Sequence, residues 1–87
     1  MYSQQILNLG AKFKGRLEAV LLDGALDYVK YNEENLALEI LCDHICEYDV
    51  ALSIDELKEI QLLASVMGFD LGNAPFKYLQ ALTMPEI

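Results

Sequence analysis

Leu38, Leu41, Cys42 and Ile45 fall at positions i, i+3, i+4 and i+7, and among regular backbones that spacing gathers its residues on one side only in an α-helix. A strand would scatter the same four over both faces. The pattern recurs along the chain: Ile6, Leu9, Phe13 and Leu17 mark a first helix. Leu22, Leu26 and Val29, with Leu21, Ala25 and Tyr28 beside them, mark a second. Leu57, Ile60, Leu63, Ala64 and Met67 mark a fourth, and Phe76, Leu79 and Leu82 a short last one. No segment of useful length alternates with the period of a strand, and there is no internal repeat, low-complexity tract or linker. The expected fold is all-α, a single domain over 1–87 built as a small bundle of four main helices plus a short C-terminal helix.

The punctuation agrees with this division. Ser3 can cap the first helix, which ends near Gly15, and Gly10 inside it costs about 1 kcal/mol relative to Ala. The second helix is predicted from Ala19 to Tyr31, with Gly24 letting a neighbouring helix come close. Asn32 either ends it or caps the third, placing Glu33 and Glu34 in a first turn where the helix dipole favours anions. Ser53 with Glu56 three residues on makes a capping box, and Leu52 is set to pack on Leu57 as a hydrophobic staple. Gly68 follows Met67 where a left-handed residue would stop the helix, so that Phe69 folds back against Leu63 or Ala64. Pro75 suits the first turn of the last helix, and Pro85 ends it.

At 87 residues, 54% apolar and 23% charged, the chain has the length and composition for one folded core. No apolar run approaches the roughly 20 residues that cross a bilayer, and Met1 to Gly10 lacks the basic start and cleavage site of a secretory signal. A cytoplasmic location is therefore expected. Cys42 and Cys46, four apart in one helix, read as reduced core residues and not as a disulfide. The net charge of −8 argues against direct binding to nucleic acid or an anionic membrane, both of which need a basic surface. A basic protein partner fits this charge; so does simple solubility. The acidity is uneven, because Lys12, Lys14 and Arg16 precede the first acid, Glu18, and between Glu18 and Asp70 only Lys30 and Lys58 offset the carboxylates.

Reactive chemistry finds little support. Cys42 and His44 are two apart and point to nearly opposite sides of a helix, so they make no nucleophile and base pair within it. Cys42 and Cys46 share a face that His44 does not, and no second Cys or His pair completes a zinc site. A calcium loop beginning at Asp49 would put Ile54 where glycine is required and Ile60 where a bidentate Glu belongs. An acyl carrier would need a serine directly after Asp at a helix start, but Ser53 follows Leu52. Neither a metal nor a cofactor is expected, and the chain does not read as an enzyme.

Glu39, Asp43 and Glu47 stand at successive i+4 steps along the third helix, with Tyr48 and Asp49 at its end. Like charges at this spacing repel by a few tenths of a kcal/mol per pair. The line is either a solvated face or a strip that meets a basic partner. Tyr48 is correspondingly either the edge of the core or an interface anchor.

The run Leu36-Ala37-Leu38-Glu39-Ile40-Leu41-Cys42-Asp43, then Glu47-Tyr48-Asp49, Leu52-Ser53 and Met67-Gly68-Phe69-Asp70, with Leu26-Asp27-Tyr28 upstream, resembles the MafI-type immunity proteins. The resemblance covers roughly residues 9 to 70. His44, Ile45 and Cys46 stand where that family more often has Gln, Leu and Tyr, and Ala51 replaces a frequent proline. The resemblance implies a cytoplasmic inhibitor that binds the C-terminal domain of a cognate secreted polymorphic toxin, often a nuclease, in contact-dependent or related bacterial competition. The inhibitor would act by stoichiometric masking; the residue spacing makes Glu39, Asp43, Glu47, Tyr48 and Asp49 the expected surface against a basic toxin domain, with the first helix or the tail as the alternative place for the variable contacts. The rival expectation is a non-catalytic helical adaptor or assembly module. A homodimer is compatible with either, although no residue in the sequence demands one.

Overall fold

In the structure, a computed structural model that describes residues 1–83, the first helix is shorter than its apolar spacing predicts. Helix α1 spans Ser3–Ala11, and Phe13 and Leu17 lie beyond it in turns yet are as buried as Ile6 and Leu9. Gly15 at φ +81° reverses the chain there, and the Arg16 and Leu17 N–H groups both donate to the Phe13 carbonyl at 2.9 Å. A left-handed residue is incompatible with helix continuation, so the side chains reach the core by a turn. Ser3 does not cap α1. Tyr2 holds that position with no side-chain cap, while the Ser3 hydroxyl donates to the Glu34 carboxylate, a stronger acceptor than a neutral group.

Helix α2 spans Ala19–Asp27 and tightens into a 3₁₀ turn over Tyr28–Tyr31. Close approach falls at Gly10, not at Gly24. A Cβ at Gly10 would stand 2.7 Å from Leu26 Cδ2, whereas one at Gly24 would meet nothing within 4 Å. The glycine that weakens α1 in isolation is therefore what lets α2 lie against it. Asn32 ends the segment: at φ +59° it lets the Glu33 N–H reach back to the Tyr28 carbonyl at 3.0 Å. Glu33 takes the N-cap of the next helix, and only Glu34 lies in its first turn.

Helix α3 (Glu34–Glu47) is the centre of the molecule, with α1, α2 and the C-terminal segment packed around it. Its predicted stripe Leu38, Leu41, Cys42 and Ile45 is fully buried together with Ala37. Asp49 at φ +50° terminates it, and the Val50 N–H donates to the Ile45 carbonyl at 3.0 Å. Helix α4 (Ile54–Val66) opens with the expected capping box, in which Ser53 Oγ accepts the Glu56 N–H at 3.1 Å and Glu56 Oε1 accepts the Ser53 N–H at 2.9 Å. At its end Gly68 is left-handed, and the Phe69 N–H bonds the Ala64 carbonyl at 2.9 Å. The Phe69 ring itself packs on Phe76, with centroids 4.8 Å apart.

The last helix is 3₁₀ over Phe76–Leu82. At three residues per turn, Phe76, Leu79 and Leu82 eclipse one another, so the apolar face survives the change of helix type. The Leu52 N–H donates to the Leu82 carbonyl at 3.0 Å and ties this segment to the entry of α4. The expected end of this helix, Pro85, lies outside the described residues. Among those described there is no strand, only two isolated bridges, and the fold is all-α. No helix of the described residues is long and apolar enough to cross a membrane.

Candidate protein interface

Burial of one side of α3 dictates what its other side shows. Asp43 and Glu47 are exposed and Glu39 is half-buried, with Leu36 and Ile40, also half-buried, on the same outward side. Helical spacing puts Leu36, Ile40, Asp43 and Glu47 along one line, so the acidic strip carries an apolar flank that the charge pattern alone did not reveal. The signal was in the sequence, at i, i+4, i+7 and i+11. Among the described residues, none of Glu39, Asp43, Glu47 or Asp49 forms an ion pair.

Tyr48 is 53% exposed, which removes it from the edge of the core and leaves its ring on the surface. Its centroid lies 6.4 Å from that of His44, whose Nδ1 is buried and finds no hydrogen-bond partner. Asp49 belongs to the strip and also to the backbone, because its left-handed conformation closes α3. The strip runs from the middle of the helix to its end, and the negative end of the dipole disfavours the carboxylate of Glu47 in the last turn.

The other acidic helix end is arranged differently. Glu56 lies on α4 with its side chain 14% exposed, and Arg16 grips both of its oxygens, Nη1 to Oε2 at 2.6 Å and Nη2 to Oε1 at 3.0 Å. Arg16 Nη2 also donates to the Ala51 carbonyl at 2.6 Å. The guanidinium hydrogen bonds hold the Glu56 carboxyl down at about 2, with the Ser53 N–H assisting. Lys12 pairs with Glu59 in the same way, and that hydrogen bond raises its own pKa. Glu34 is likewise lowered, first by the Ser3 hydroxyl and then by the Met1 amine. Lys12 and Arg16 of the basic cluster are therefore engaged on α4, the Met1 amine is engaged by Glu34, and none of the three pairs with the α3 strip.

Burial pushes the Cys42 thiol up, as it does more weakly for Cys46, the opposite of what a nucleophilic thiolate needs. Cys46 Sγ lies 3.6 Å from the Pro75 carbonyl and the two cysteines are free. Among the described residues no group of three or more His, Cys, Asp or Glu is placed to hold a metal ion. The fold and surface define a small all-α domain with an uncompensated acidic face. No family model, curated protein or solved structure matches the chain.

Proposed function

We propose that the chain is an immunity-type inhibitor whose α3 strip covers a basic surface on a toxin's C-terminal domain, with a phosphate-handling nuclease as the fitting partner class. The observation that carries this reading is the unpaired state of Glu39, Asp43 and Glu47 on α3, where mutual repulsion opposes all three and the helix dipole opposes Glu47 as well. A docked cationic surface relieves both terms at once, so the face gains more from a basic partner than from water. The carboxylates would occupy positions that otherwise attract phosphates, while Leu36, Ile40 and Tyr48 would supply the apolar contacts that slow dissociation. The resemblance to MafI-type immunity proteins across α3 and the turn after it supports the same reading.

Co-expression with the basic C-terminal domain of a secreted toxin encoded beside this gene tests it, with growth and co-purification as readouts. Protection and a complex whose association slows steeply with added salt are expected. The variant carrying Glu39→Lys, Asp43→Lys and Glu47→Lys should keep its helical circular dichroism and lose at least about tenfold in affinity, or about 1.4 kcal/mol. A folded triple variant that binds as tightly as the parent would reduce the strip to a solvated face.

A further inference from the structure

Leu62 and Val66 stand outside the buried stripe of α4 and are 68% and 53% exposed. They flank a groove of about 280 Å³ between α1 and α4, lined by Tyr2, Gln5, Glu59, Leu62, Leu63 and Val66. Two large aliphatic side chains side by side on a helix otherwise well packed mark a surface that water covers at a cost.

The charge around this groove identifies its occupant. Helix α1 carries no ionisable side chain between Ser3 and Ala11, and its outer rim is Gln4, Gln5 and Asn8. On the α4 side the three acids Asp55, Glu56 and Glu59 are matched by the three bases Lys12, Arg16 and Lys58. Those six cancel. Among the described residues the other three bases and ten acids therefore carry a net charge of −7 outside this set of six. For two molecules that repel each other over most of their surface, this neutral face is where they can meet without bringing like charges together.

We infer that the α1/α4 face is a self-association surface on which a second copy of this chain docks about a two-fold axis. The face offers both halves of such a contact, an exposed Leu62 and, beside it, a groove that would receive its counterpart. A two-fold operation seats each Leu62 in the other copy's groove, against Tyr2 and Val66. With a small apolar centre and no ion pairs across the face, a dissociation constant on the order of micromolar is expected. The α3 strip takes no part, and the inference holds whatever that strip binds.

Sedimentation velocity from about 1 μM to about 1 mM, a range that brackets such affinities, should show the mass rising from 9.8 kDa toward twice that value. Added salt should preserve or strengthen the dimer, because it screens the residual repulsion between two anionic bodies. Leu62→Glu should weaken association at least about tenfold with unchanged helical signal, its side chain being mostly in solvent already. Val66→Glu should act likewise, while the triple lysine variant of α3 should still associate. A parent chain that stays monomeric throughout, or a folded Leu62→Glu chain that dimerises as the parent does, would overturn the inference.

Discussion

Glu56 and Asp43 are both carboxylates on helices of the same small domain, and the molecule treats them in opposite ways. Glu56 is gripped by Arg16, closes the capping box with Ser53 and is largely removed from solvent. Asp43 is exposed and has no ion-pair partner among the described residues. One side of the protein uses its charge to fasten α1's exit to α4's entry, and the other leaves its carboxylates without an ion pair among the described residues. The difference separates acids that hold the fold from acids that can be spent on recognition.

That contrast is broken most directly by removing Glu56. Glu56→Ala deletes an N3 capping partner and a two-point ion pair, and it leaves Arg16 with the Ala51 and Lys12 carbonyls and no carboxylate. A loss of about 2 kcal/mol is expected, which in a domain of this size lowers Tm by roughly 10 °C. Asp43→Asn should change stability by less than about 0.5 kcal/mol and in the favourable direction, since it relieves repulsion from Glu39 and Glu47. Thermal melts of the two variants side by side decide it; equal losses would erase the distinction.

Acid provides the second test. The folded-state pKa of Glu56 is depressed to about 2, against roughly 4.3 in an unfolded chain. Its contribution is therefore complete above the unfolded value and disappears as pH falls toward about 2, when the folded carboxylate is protonated. Glu34 is shifted in the same direction by Ser3 and adds to the same limb. Between pH 5 and pH 2 the parent should lose Tm more steeply than Glu56→Gln, whose side chain no longer titrates. Parallel curves would show that the Arg16 pair adds nothing to folding.

Much of this frame was legible in the sequence because it is local. The α3 stripe, the Ser53 and Glu56 capping box and the Gly68 stop all follow from residues within seven positions of one another. What escaped was tertiary. Nothing near Gly10 says that Leu26 will lie over it, and nothing near Ser3 says that Glu34 will take its hydroxyl from across the bundle. The 3₁₀ character of the last helix was hidden because i, i+3, i+6 spacing fits both helix types over so short a run. Leu62 and Val66 were visible as apolar residues off the stripe, but their meaning depended on α1 leaving its uncharged rim beside them.

Asp49 sharpens the comparison, because it belongs to both kinds of acid at once. It sits at φ +50°, a conformation that glycine adopts without the steric penalty of a Cβ, and it also extends the strip beyond Glu47. Asp49→Gly should therefore raise stability by about 0.5 kcal/mol, with the greater freedom of glycine in the unfolded chain limiting the gain. The closing bond from Val50 to the Ile45 carbonyl needs only that backbone turn and should survive. If Asp49 also meets the partner, the same variant binds more weakly while melting higher, a divergence that a purely structural residue cannot produce. Affinity that is unchanged while Tm rises would assign Asp49 to the helix end alone and confine the recognition strip to Glu39, Asp43, Glu47 and Tyr48.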